Sequence, residues 1–189
     1  MLIGVLAVLS ASAAAGMRIA LPLLIIGLLQ NEALWSNVPI LSYIHPQVLI
    51  AILTSWSLFE LFGSKKLLGQ RILQLIQLVF SPLVGALMGI TVANIIHLEI
   101  TPLWLIGIVG GLLALVLKLV QVGWFFRLRG IPIWVVFIED TLCIFLVLFA
   151  FKAPEQGGLI AMLLLWLAIR SSKEWHRWYQ QKNLPGAKD

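Results

Sequence analysis

Long apolar runs separated by short polar stretches dominate the chain. Six stand out: Met1 to Leu29, Val48 to Phe62, Ile72 to Ile96, Pro102 to Val122, Ile131 to Phe151, and Gly158 to Ile169. They are continuous rather than alternating, so they do not read as the strands of a membrane barrel. A helix needs roughly 17–25 residues to cross hydrocarbon, where the backbone must satisfy its own hydrogen bonds. The pattern therefore predicts an all-α, polytopic membrane helix bundle of about six transmembrane helices. The second helix is expected to begin at Pro46, and the sixth to borrow residues from both flanks. The first run holds Gly16, Arg18 and Pro22, which predict a kink or a break; Ser81/Pro82 is a second candidate break. The start of the chain lacks the basic n-region of a cleaved signal, so the first run is expected to remain as a helix.

Composition narrows the class. The chain of 189 residues is 61% hydrophobic and only 11% charged, with mean hydropathy +1.02. Soluble domains carry about 25% charged residues. The charges fall between the runs in alternation. Residues 30–47 carry Glu32 and residues 97–101 carry Glu99, with no Lys or Arg in either stretch. Residues 63–71 carry Lys65, Lys66 and Arg71, and residues 123–130 carry Arg127 and Arg129. Residues 152–157 carry Lys152 and Glu155, and the tail is basic again. The positive-inside rule then predicts cytoplasmic termini at both ends. The expected organisation is one transmembrane domain over 1–170 and a basic aromatic tail over 171–189. In that tail Trp175, Trp178 and Tyr179 mix with cations as a membrane-surface anchor would. The net charge of +5 is loop charge and points to a multi-pass protein of a cell membrane, the bacterial inner membrane or an internal one, rather than to nucleic acid. Cys143 is the single cysteine, which excludes an intrachain disulfide.

Polar residues inside the runs share helical faces. Gln70, Gln74, Gln77, Ser81 and Gly85 advance by three or four and form one stripe, as do Gly107, Gly111, Ala114, Lys118 and Gln121. The pair Gly107/Gly111 suits close helix packing. Ala11, Ala15, Arg18 and Pro22 fall on one side of the first run, and Ser57, Glu60 and Ser64 on one side of the second. Glu139 and Asp140 sit mid-run, about 100° apart around the helix axis, with Cys143 one turn beyond Glu139. A central acid costs several kcal/mol on insertion scales, roughly 2.5–3.5 for Asp, so the pair needs partners, protonation or water. Arg18, the one charged side chain before Glu32, is the natural counter-ion of Glu139/Asp140. Lys118 is expected to serve Glu60 or the same acids. The structural alternatives are a buried ion pair that locks helix register, Glu60 and Lys118 snorkelling to the interface, and a glutamine stripe that bonds helix to helix.

No nucleophile motif, phosphate loop or metal-ligand spacing is present, His45 and His97 included. An enzyme, a metal site and a cofactor are therefore not expected. The candidate site is an intramembrane constellation of Arg18, Glu60, Gln77, Lys118, Glu139 and Asp140. Buried ionisable groups in a membrane point to function, here a transporter or channel for a small solute or ion. The alternative is a non-transporting scaffold or assembly factor of a membrane complex, with a second copy or another membrane protein as partner. "GMRIALP" (Gly16 to Pro22), Glu60 with Ser64 and Lys65, "QLVFSPLVGA" (Gln77 to Ala86), "GGLLALVLKLVQVG" (Gly110 to Gly123) and "IPIWVVFIED" (Ile131 to Asp140), in this order, resemble an uncharacterised bacterial membrane family, domain of unknown function 4126. The resembled pattern carries a histidine and a lysine where this chain has Lys118 and Gln121, and commonly an aspartate at Ser64. The resemblance implies a membrane location and supplies no substrate.

Overall fold

A computed structural model describes residues 1–29, 43–63, 67–98, 102–128 and 132–182. These residues form seven helices and no strand: α1 (Leu2–Met17), α2 (Ala20–Leu29), α3 (Pro46–Gly63), α4 (Leu67–Ile95), α5 (Leu103–Leu128), α6 (Ile133–Lys152) and α7 (Pro154–Lys182). Glu32, Glu99, Arg129, Lys188, Ser64, Lys65, Lys66 and the side chains of Gln70, Arg127, Trp175, Trp178 and Tyr179 lie outside the described residues.

The first apolar run is broken. Helix α1 stops at Met17, and Arg18 is extended, with φ −134° and ψ 145°. Pro22 explains the position of the stop. In a continuous helix its ring would clash with the carbonyl four residues back, which belongs to Arg18. In α2, Pro22 instead sits in the first turn, where a missing N–H costs nothing. The second candidate break is not realised, because α4 runs straight through Pro82. There the neighbouring helix lies against the backbone: a Cβ at Gly111 of α5 would lie 2.7 Å from the Pro82 carbonyl oxygen. Helix α3 starts at Pro46 as expected, and α7 takes residues from both flanks of its run, crossing Arg170 to reach Lys182.

Helix α1 is the axis of the bundle. It packs against α4, α5, α6 and α7, and every residue from Ser10 to Met17 is buried. Its alanines, serines and Gly16 let neighbouring backbones close in. A Cβ at Gly16 would lie 2.9 Å from the backbone of Ala114, and one at Gly110 would lie 2.5 Å from Ser12 Oγ and 2.8 Å from Gly85 O. The Ser10 hydroxyl donates to Leu146 O (2.7 Å) and the Ser12 hydroxyl to Gly85 O (3.1 Å). The small-residue faces read from the sequence are thus used up inside one chain.

The outside is apolar. Val79, Leu83, Leu112, Phe137, Leu163 and Trp166 are all exposed, while Ser10, Gln77, Ser81, Thr91 and Lys118 are buried. Water disfavours such an inverted surface, and hydrocarbon suits it. Among the described residues, three helices are long and apolar enough to cross a membrane: Arg71–Ile95, Leu103–Phe125 and Trp134–Lys152. The break leaves Leu2–Met17 as a shorter apolar helix.

Helix α4 ends in a Schellman motif. His97 takes φ 48°, Leu98 N–H reaches Ala93 O (2.9 Å), and His97 N–H reaches Asn94 O (3.2 Å). His97 is thereby a helix terminator, and glycine is the residue that this backbone conformation favours.

Gly110→Val forces a side chain into the α4 backbone and is expected to cost at least the roughly 1–3 kcal/mol of core overpacking. Gly123→Ala, with nothing within 4 Å of the new methyl, should leave stability unchanged or slightly raised. Thermal unfolding in detergent compares the two. By the same assay, His97→Gly should stabilise by up to about 1 kcal/mol, through relief of left-handed strain.

Candidate functional site

A helix that stops inside a bundle leaves its last carbonyls without intrahelical partners, so they need donors from elsewhere. Three groups meet the end of α1. The Arg18 backbone N–H donates to Ala14 O (3.1 Å). The Cys143 thiol of α6 donates to the same oxygen (3.5 Å). The Lys118 ammonium of α5 donates to Met17 O (3.2 Å) and to Gln121 Oε1 (3.1 Å). Positive charge at a helix C-terminus is also favoured by the helix dipole.

Arg18 turns its side chain to α6 and donates from Nε to Asp140 Oδ1 at 2.6 Å. The two side chains are 7% and 15% exposed, respectively, so the pair is nearly dry and its mutual attraction is weakly screened. Of the two acids expected to hold Arg18, the ion pair forms with Asp140. Breaking at Arg18 leaves that residue outside helical geometry and beside α6.

The two adjacent acids divide their work. Asp140 takes Arg18, while Glu139, about 100° around the axis, faces a cavity of about 490 Å³ between α5, α6 and α7. Lys118 and Arg18 act on Glu139 through space, but among the described residues neither closes a hydrogen bond or ion pair on its carboxylate.

Lys118 does not pair with Glu60. Glu60 is 3% exposed and accepts from Trp56 Nε1 (2.9 Å), one turn back on α3, and from Gln77 Nε2 (2.9 Å) of α4. It points inward and does not snorkel, because these two N–H groups satisfy it inside the bundle. Gln77 thus bonds helix to helix. On the same stripe, Gln74 Oε1 and Ser81 Oγ are buried without a hydrogen-bond partner. The six site residues therefore fall into two groups. Arg18, Lys118, Asp140 and Glu139 gather around the end of α1, and Glu60 with Gln77 forms a separate contact. Cys143 joins the first group as a hydrogen-bond donor. Its spacing from Glu139 already put it on this helix face, but only the position of α1 shows which carbonyl it meets.

The Arg18–Asp140 contact predicts strong coupling. Asp140→Ala strands a buried guanidinium and is expected to destabilise by about 3–5 kcal/mol, whereas Arg18→Met combined with Asp140→Leu should recover most of that loss. Unfolding titrations of the single and double variants in detergent measure it, and an Asp140→Ala variant as stable as the parent would contradict the pairing.

Neither the curated proteins nor the solved structures contain a match to this chain. The family described as Domain of unknown function (DUF4126) matches residues 5–174, which take in every helix that frames the end of α1. The chain belongs to that family.

Proposed function

We propose that the protein is a multi-pass integral membrane protein that moves a small solute or ion across the bilayer at the broken end of α1. One observation carries this reading: a helix interrupted among four ionisable side chains, Arg18, Lys118, Asp140 and Glu139, inside an apolar bundle. Discontinuous helices whose ends face charged groups commonly form transport sites near the membrane midplane. Buried charge of this density is costly in a bilayer and is a functional signal by default.

The fuller topology belongs to the same proposal. The six apolar runs each cross once, with α1 and α2 together making one crossing. The basic stretches at Lys65, Lys66, Arg71, Arg127 and Arg129 lie in the cytoplasm with both termini. Residues 1–170 form the membrane domain, and 171–189 are a basic aromatic cytoplasmic tail at the membrane surface. The role is non-enzymatic and needs no cofactor or nucleic acid.

A second reading, a non-transporting scaffold or assembly factor, draws support from the tight closure around Cys143, which is fully buried against α1. The single cysteine separates the two. In proteoliposomes, a charged, membrane-impermeant methanethiosulfonate reaches Cys143 only if water enters beside the end of α1. The comparison is Val147→Cys in a Cys143→Ala background, an equally buried position one turn along α6. A transport site that opens locally should let Cys143 react at least about ten-fold faster than the cysteine at 147, since local opening costs less than global unfolding. Equally negligible labelling at both positions until the protein is denatured would overturn transport and favour the scaffold.

A further inference from the structure

The cavity beside Glu139 is chemically lopsided. Its walls come mainly from α5, α6 and α7, with Met17 of α1, and are almost wholly apolar, with Leu117, Val120, Leu164 and Leu167 among them. Two tryptophans stand at its rim, Trp124 and Trp134, 54% and 65% exposed. Trp124 is pinned there by donating Nε1–H to Ser171 Oγ of α7 (2.7 Å). Glu139 supplies the charge. Counting along α6, it lies five residues past Trp134, about 7–8 Å further in by helical rise.

The nearby cations do not fill this role. Lys118 is committed to Met17 O and Gln121 Oε1, and Arg18 to Asp140. Gln121 also lines the cavity and has its oxygen turned to Lys118. The carboxyl group of Glu139 thus faces an apolar space with aromatic rings at the entrance. Ligand pockets are mostly apolar with a few placed polar groups, and tryptophan faces attract organic cations. The volume, about 490 Å³, suits a compact drug-sized molecule.

We infer that this cavity binds a lipophilic organic cation, an ammonium or phosphonium with an aromatic or alkyl body, with its charge on Glu139 and its body between Trp124, Trp134 and the leucines of α7. A lipid acyl chain would fill the walls but make no direct ion pair with Glu139, so charge complementarity selects the cation. The inference goes beyond the transport reading and does not need it, since binding is measured at equilibrium.

The test uses purified full-length protein in detergent and equilibrium dialysis with labelled tetraphenylphosphonium. Triphenylphosphine oxide serves as a neutral comparison of similar shape. Saturable binding of the cation is expected, weakened about ten-fold or more by Glu139→Gln, with the neutral compound bound weakly and equally by both proteins. Leu167→Trp, at an exposed wall position, should weaken the cation similarly by filling the space without touching the charge. That keeps the test decisive if Glu139→Gln does not fold. Equal affinity for cation and neutral compound would overturn the inference and make the cavity a lipid-chain groove. Undiminished cation binding to both variants would also overturn it. Binding without Cys143 labelling would sink transport and leave this site standing, and labelling without binding would do the reverse.

Discussion

The structure turns on a helix end buried inside the bundle. Wherever α1 stops, its last carbonyls need donors, and inside an apolar bundle these must come from other helices. Pro22 sets the stop at Arg18. From there the rest of the centre follows: Lys118 and Gln121 from α5 and Cys143 from α6 are drawn to the end of α1, and Arg18 is released from helical geometry to meet Asp140. The ion pair and the carbonyl contacts are therefore one assembly. Disturbing any member leaves a buried polar group without a partner, and that penalty exceeds the modest net worth of the bond itself.

Such an assembly needs backbones in close approach, and the composition of α1 provides it. A helix rich in alanine and serine, surrounded on four sides, brings α4 and α5 near enough for Gly85, Gly110 and Ala114 to touch it and one another. The same tightness sets the α5 backbone against Pro82, and α4 continues past it. Between helices in hydrocarbon, packing and hydrogen bonds replace the hydrophobic drive of a soluble core. Here the serine hydroxyls bond directly to neighbouring backbone carbonyls, so side chains of α1 tie down two other helices.

Placing two acids side by side on α6 gives one residue to structure and the next to a cavity. Consecutive helix positions diverge by about 100°, so Asp140 is neutralised by Arg18 while Glu139 faces the space between α5, α6 and α7. The proposed transport and binding roles both draw on this division. The ion pair holds α6 in register against α1, and the free carboxylate is left where a ligand or solvent can reach it.

Much of this was legible in the sequence, for reasons of period and solvent. Uninterrupted apolar runs with few charges admit helices alone, and the 3.6-residue repeat places Gln74, Gln77 and Ser81 on one face and separates Glu139 from Asp140 whatever the tertiary fold. Gly16, Arg18 and Pro22 marked the break, since a proline's clash with the carbonyl four residues back is local geometry. What the sequence left open was partner choice. Arg18 faced two equally spaced acids, and only the rotation of α6 about its axis assigned it to Asp140. Lys118 had a carboxylate at similar depth in Glu60, yet Trp56 and Gln77 already satisfy that group, and the lysine turned to the open end of α1. Pro82 looked like Pro22 by residue type, but the α5 backbone lies against it and the helix continues. Local rules act through neighbours in the chain; pairing depends on which helices lie side by side, and only packing in three dimensions decides that.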